Sequence, residues 1–199
     1  MYSSHFLLEL MDNPTRSERS RNAAIQAALT ILSRDGPGEL TFEALSRESG
    51  ISKGGLLHQF GSKNGILKAL LAHQVENFER FTQQYLAASD PATPELTLMS
   101  QIATAREAVN QHHSVALAVI AAMVEDPELL ASTRKADSKN IEAIEAEAAD
   151  PDLALLRWAA SRGLIFTELL GLSPLSKKDR DRLFDYLLDE KRWGGGKPK

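Results

Sequence analysis

The stretch Thr41–Leu71, TFEALSRESGISKGGLLHQFGSKNGILKALL, decides how the rest of the chain is read. Thr41 is a helix-capping residue ahead of Phe42, Leu45 and Ser46, which share one inward side of a helix that Gly50 closes after about eight residues. Ser52 then opens a second helix of similar length. Its inner face is expected to be Leu56, Leu57 and Phe60, leaving Lys53, Gly54, Gly55, His58 and Gln59 to the outside or to the helix end. Helices this short are not stable alone, so their pairing around Gly50, Ile51 and Ser52 must be held by the helices on either side.

That arrangement is a helix-turn-helix pattern. Gly50 suits a left-handed position, Ile51 plugs the space between the two helices, and Ser52 caps the second, whose first backbone N–H groups then point outward at anions. A helix entering a major groove needs small residues at its leading end, and Gly54 with Gly55 supplies them at about 1 kcal/mol each in helix stability. Short helices joined by glycine also occur in plain bundles, so spacing alone leaves that reading open.

Outward from this stretch the helical pattern continues. Ala24, Ile25, Ala28, Leu29, Ile31 and Leu32 recur at threes and fours between Ser17 and Arg34, and Gly36, Pro37 and Gly38 stop that helix. On the other side Ser62 caps a long helix whose stripe, Ile66, Leu67, Leu70, Leu71, Val75, Phe78 and Phe81, runs to the neighbourhood of Leu86. The breaker cluster Ser89–Pro94 (SDPATP) is the strongest change of composition and the expected domain joint. Helical spacing resumes over Pro94–Gln111, His113–Glu125, Pro127–Ala148, Pro151–Leu170 and Ser176–Lys191, with proline near several starts. No segment alternates as a strand does, so the fold class is all-α. Residues 1–15 read as an N-terminal arm and 194–199 as a tail.

The chain has 199 residues, 43% of them hydrophobic and 25% charged, which excludes disordered and collagenous classes. It contains no cysteine, so disulfides, thiolate chemistry and Cys-ligated zinc are excluded. Met1–Asn13 lacks the basic start and cleavage site of a signal peptide, and the longest apolar run, Val115–Val124, is half of what a bilayer span of about 20 residues needs. A cytoplasmic protein without membrane segments is expected. The net charge of -4 argues against nucleic acid only while the chain is taken whole. Residues 1–72 hold eight Lys and Arg against seven Asp and Glu, and residues 73–199 hold fifteen against twenty, so a slightly basic module precedes an acidic body.

With these residues in view, Thr41–Leu71 resembles the DNA-binding domain of the TetR family of transcriptional repressors. Thr41, Ala44, Leu45, Gly50, Ile51, Ser52, Gly55, Leu56, Phe60, Ser62, Lys63 and Leu67 fall at the family's places, as do Arg21, Ile25, Ala28 and Gly36 upstream. The family commonly has a tyrosine before a basic residue or histidine in its second short helix. Here Leu57 is followed by His58 and Gln59, which makes His58 the matching position. The resemblance implies a helix-turn-helix DNA-binding domain over residues 16–72, joined by a long fourth helix to a ligand-binding and dimerisation domain over 73–193. It also implies contact with a double-stranded DNA operator through Thr41, Arg47, Ser52, Lys53, Gly54, Gly55, His58 and Lys63.

For the body, the resemblance implies a pocket for a small-molecule effector, with Met99, Ile102, Ala103, Arg106, Val119, Met123, Trp158 and Arg162 as candidate lining. It implies too a homodimer through the last two long helices, which carry Leu155, Leu156, Ala159, Gly163, Phe166, Leu170, Leu183, Tyr186 and Leu187. An enzyme is not expected. His112 and His113 are adjacent, diverge on a helix by about 100° and have no carboxylate at ligand spacing, so no metal, cofactor or catalytic residue is assigned. Two rival readings remain: a helical protein-interaction or scaffold domain with an unused DNA-binding head, and an all-α enzyme in the acidic body.

Overall fold

The computed structural model describes residues 16–109 and 129–193, and every regular element among them is helical. The expected arm, the expected tail and the expected helix His113–Glu125 lie outside the described residues, as do His112 and His113. In chain order the helices are α1 (Arg16–Asp35), α2 (Phe42–Ser49), α3 (Lys53–Phe60), α4 (Lys63–Ala88), α5 (Leu96–Ala108), α6 (Leu129–Glu147), α7 (Pro151–Leu169), α8 (Lys177–Leu188) and the short α9 (Glu190–Trp193), with a 3-10 turn at Pro37–Glu39. The chain divides into two compact units, Met1–Leu70 and Leu71–Lys199, and α4 carries the backbone from one into the other without a break. The cluster Ser89–Pro94 therefore lies inside the second unit, as the turn after α4, where Asp90 Oδ1 accepts from Ala92 N at 2.9 Å.

In the first unit one apolar stripe of α1, Ala24, Ile25, Ala28, Ile31 and Leu32, is buried together with Leu40, Leu45, Leu56, Phe60, Ile66, Leu67 and Leu70. Each short helix contributes only one or two anchors, so caps define their ends. Thr41 Oγ1 accepts from Ala44 N at 3.1 Å and opens α2, and Gly50, at φ 70°, closes it with its N–H on Ser46 O. Ser52 Oγ accepts from Gly55 N at 3.2 Å and opens α3. The turn between them is sewn to α2 by Ser46 Oγ, which donates to Ile51 O at 2.7 Å, and by Ser49 Oγ, which accepts from Ile51 N. Arg34 at the end of α1 reaches both Asp35 and Glu48, at 2.8 and 3.0 Å, and ties α1 to α2.

Leu57 departs from the expectation. It is 41% exposed, because only Leu56 and Phe60 of α3, four residues apart, point into the unit. An eight-residue helix crossing a core buries a stripe one or two residues wide, and Leu57 lies about 100° round from Leu56.

The second unit packs Leu98, Ile102, Ala105, Ala108 and Val109 of the α5 segment against Ile144 of α6, Ala154 and Ile165 of α7 and Phe184 and Leu187 of α8. Phe78 of α4 joins this core, and Thr82 and Thr104 hydroxyls meet at 2.8 Å. Asp150 and Ser176 cap α7 and α8, accepting from Leu153 N and Asp179 N. Helix α5 starts differently. Its N-cap, Glu95, sits at φ 52° with no cap from its own side chain; Glu147 at the end of α6 instead accepts from Thr97 N at 2.8 Å. The last long helix ends at Leu188, three residues before the expected Lys191, because Asp189 turns extended and Trp193 folds back to donate from Nε1 to Tyr186 O at 2.9 Å.

Candidate functional site

The head presents one polar surface built on α2, α3 and the start of α4. Thr41 and Ser52 are exposed caps whose hydroxyl oxygens are engaged by their own helices, which fixes each side chain at a helix N-terminus. Lys53 is the first residue of α3, and its ammonium is ion-paired with Glu43 in the first turn of α2. The hydrogen bond from Lys53 holds the Glu43 carboxyl below the usual carboxylate range, with the charges of Lys53 and Arg47 acting in the same direction. Arg47 is exposed on α2, one turn beyond Glu43, and His58 is exposed in the last turn of α3. Lys63 opens α4 and donates from Nζ to Pro37 O at 3.3 Å, which draws the 3-10 turn against the start of that helix.

Thr41, Ser52, Lys53 and Lys63 thus stand at three successive helix starts, where partial positive charge and side-chain donors add. Two features anchor α3 beneath them. The Arg21 guanidinium lies over the Phe60 ring at 5.6 Å, and Gln59 Nε2 donates to Ser17 O at 3.3 Å.

Three glycines of this region, Gly54, Gly55 and Gly65, have different physical reasons. A Cβ at Gly54 would meet nothing within 4 Å, so the fold itself does not require glycine there. A Cβ at Gly55 would touch Ile51 Cγ2 and Ser52 Oγ at 3.3 Å, a tight fit against its own turn. A Cβ at Gly65 would lie 1.8 Å from the Phe60 carbonyl oxygen, so the first turn of α4 packs directly on the end of α3. Gly65→Ala is therefore expected to prise α3 from α4 and cost about 2 kcal/mol, read as a lower thermal midpoint of the head. Gly54→Ala should leave that midpoint unchanged or raise it, since alanine is the better helix former by about 1 kcal/mol; a Gly65→Ala protein as stable as the parent would contradict the packing.

The residues expected to line an effector pocket separate into groups. Met99, Ile102 and Ala103 are buried on α5, Ile102 within the hydrophobic core itself. Arg106 turns to α8, where Nη1 meets Asp185 Oδ1 at 2.8 Å. Trp158 and Arg162 come together: the guanidinium lies over the indole at 5.2 Å and pairs with Asp137 of α6 at 2.6 Å. The indole Nε1 is buried with no hydrogen-bond partner among the described residues. Val119 and Met123 lie outside the described residues.

Of the residues expected at a dimer face, Leu156, Ala159, Gly163, Phe166, Leu170 and Tyr186 are exposed, Leu155 and Leu183 are half-buried, and Leu187 belongs to its own unit's core. Two arginines that the sequence reading does not single out are buried. Arg157 is 2% exposed, with Nη1 on Glu95 at 2.5 Å, Nη2 on Leu187 O at 2.8 Å and its guanidinium over the Trp193 ring at 5.2 Å. Arg180 is similarly buried and pairs with Glu168. Their signal was position: Arg157 keeps the helical phase of the buried Ala154, Ser161 and Ile165, and Arg180 that of Phe184 and Leu187.

No group of three or more His, Asp or Glu among the described residues could hold a metal ion, and no helix among them is long and apolar enough to cross a membrane. Residues 24–70 match the family description "bacterial regulatory proteins, tetR family", and residues 79–192 match "tetracyclin repressor-like, C-terminal domain". HTH-type transcriptional regulators named BetI, from Yersinia pestis and Yersinia pseudotuberculosis, are 27% identical over 78 residues, which is 39% of this chain and 39% of their own length. Among solved structures, a TetR-like transcriptional regulator from Rhodococcus sp. RHA1 superposes with a TM-score of 0.61 at 17% identity, covering 92% of this chain and 100% of that one. A TetR-family transcriptional regulator from Bordetella parapertussis 12822 gives 0.58 at 23% identity, covering 86% and 95%. The multidrug binding protein EbrR, solved with ethidium, gives 0.54 at 19% identity, covering 84% and 97%. At these identities the superpositions establish the fold, and the two family matches, one of them longer than half the chain, establish the lineage: this chain belongs to the TetR family of bacterial regulatory proteins.

Proposed function

We propose that the protein is a cytoplasmic, homodimeric repressor that lays α3 into successive major grooves of a palindromic operator and is released when a small molecule binds its second unit. On this reading residues 16–72 are the DNA-binding domain and 73–193 the ligand-binding and dimerisation domain. The observation that carries it is the leading end of α3. Leu56 and Phe60 anchor that helix from below, while Lys53, Gly54, Gly55 and His58 face outward and no atom of the described residues lies within 4 Å of where a Gly54 Cβ would be. Lys53 and Lys63 are the cations for phosphate or base edges, Thr41 and Ser52 hold helix starts against phosphates, and Arg47 and His58 extend the surface on either side. One head carries little net charge, so affinity comes from two heads on paired half-sites.

The Trp158–Arg162–Asp137 group supports an effector site in the second unit. A buried indole N–H without an acceptor is a group that a ligand oxygen would satisfy. Of the proposed lining, Met99, Ile102 and Ala103 supply apolar surface and Arg106, Trp158 and Arg162 polar orientation, with Val119 and Met123 completing the set. Unequal affinity of that ligand for the DNA-competent and DNA-incompetent states is all that release requires.

The test is a footprint on the promoter region beside the protein's own gene, at several salt concentrations. Protection of an inverted repeat, with log affinity falling linearly as log salt rises, is expected; salt-insensitive binding, or none, sinks the reading. In the same assay Gly54→Ala should weaken operator binding about tenfold, the cost of crowding one groove contact worth 1–3 kcal/mol, although it leaves the fold intact. Unchanged binding would remove clearance as the reason for that glycine.

A further inference from the structure

The ion pair between Glu43 and Lys53 stands at the centre of the proposed DNA-facing surface, and nothing in the fold needs it. Both side chains are more than half exposed, so the pair adds little stability. The ends of α2 and α3 are already fixed by Thr41, Gly50, Ser52 and the hydroxyls of Ser46 and Ser49. What the pair does is occupy the one lysine at the leading end of α3. We propose that Glu43 is an affinity-setting residue of the head: it holds the Lys53 ammonium away from the phosphate backbone in the free protein, so that DNA must compete with an internal carboxylate for that cation. This rests on the DNA-binding reading above.

The physical consequence is an exchange. When Lys53 moves to a phosphate it releases a condensed counterion from the duplex, but Glu43 is then left bare beside a polyanion. A cation is drawn back to it, so the net release is smaller than the number of protein–phosphate contacts. Arg47 is the other cation that Glu43 feels, one turn along α2. It makes a general charge effect distinguishable from one that acts through Lys53.

The experiment uses the full-length protein, a fluorescein-labelled 30-bp duplex of mixed sequence, and salt from 50 to 200 mM, with the parent, Glu43→Gln, Lys53→Gln and the double variant. Glu43→Gln is expected to bind about three- to tenfold tighter than the parent, with a salt slope steeper by about 0.9, the contribution of one further phosphate. Lys53→Gln is expected to bind more weakly than the parent, and adding Glu43→Gln to it should restore less than twofold. Thermal melts of the four proteins should agree, since the pair is exposed. Parent-like affinity and slope for Glu43→Gln would overturn the inference while leaving DNA binding intact. An equal gain from Glu43→Gln with or without Lys53 would overturn it too, because the effect would then be general charge or Arg47. Absence of salt-dependent binding by all four proteins would overturn both this inference and the DNA-binding reading.

Discussion

Glu95→Ala is expected to destabilise the second unit by about 3 to 5 kcal/mol, the penalty for stripping the partner from a buried charge. Among the described residues Arg157 has no other anion. Its guanidinium is 2% exposed; besides Glu95 it has the Leu187 carbonyl, the Met99 sulfur at 3.4 Å and the Trp193 ring face, while its Nε has no partner among the described residues. Arginine does not escape by losing its proton, so the full desolvation cost remains. Removing the other partner is milder, because Glu95 is 23% exposed and water can reach it. Arg157→Met, close in volume and without charge, should therefore cost less than Glu95→Ala, and the double variant should be more stable than Glu95→Ala alone. Glu95→Gly should fall below Glu95→Ala in cost, since position 95 holds a left-handed φ of 52° that costs a side-chain-bearing residue about 1 kcal/mol. The order from urea unfolding monitored by circular dichroism decides the matter: Arg157→Met worse than Glu95→Ala would show that packing, not the buried charge, dominates this joint.

What the sequence makes legible is local, and the Arg157–Glu95 pair, 62 residues apart, is not. Caps, turns and stripes are local, so Thr41, Gly50 and Ser52 announce their helices before any packing is known. The all-α class and the helix-turn-helix followed from them. Leu57 is exposed against expectation because apolar spacing marks a face but not its width, and α3 buries only Leu56 and Phe60. The SDPATP cluster marks a turn, while the division of the chain into units falls within α4, where helical composition is continuous. Gly65 and Glu43 were invisible for a related reason. One is fixed by a backbone oxygen five residues earlier, the other by a lysine ten residues later across a turn, and neither relation has a local sequence signature. The candidate DNA residues were nameable because they cluster in one continuous stretch, whereas the effector residues depend on how α5, α6 and α7 meet.

The second large effect lies on α7. If the proposed homodimer forms through this helix, Phe166→Glu is expected to shift the protein from dimer to monomer, weakening self-association by more than 100-fold, the cost of burying one charge on each side of a two-fold contact at about 2 kcal/mol or more apiece. Leu156 is 66% and Phe166 57% exposed, and with Ala159, Gly163 and Leu170 they form a stripe at helical spacing that the unit's own core does not cover. A Cβ on Gly163 would meet nothing within 4 Å in its own protomer. Gly163→Leu should thus leave the folded protomer sound, while a leucine at the crossing would hold two closely packed helices apart. Because Phe166 is mostly exposed, its replacement should leave the protomer's circular dichroism spectrum unchanged. Leu86→Glu, also an exposed leucine but on α4 and not part of the α7 stripe, serves as the control and should remain dimeric. Sedimentation equilibrium reads the association, and a gel shift on the operator reads its consequence: with two half-sites no longer held by one particle, affinity should fall at least as steeply as dimerisation. A dimer that survives both Phe166→Glu and Gly163→Leu would place the interface elsewhere. If the dimer is lost and operator affinity is unchanged, each head binds its half-site independently, and the small net charge of the head would then have to be reconciled with single-head binding.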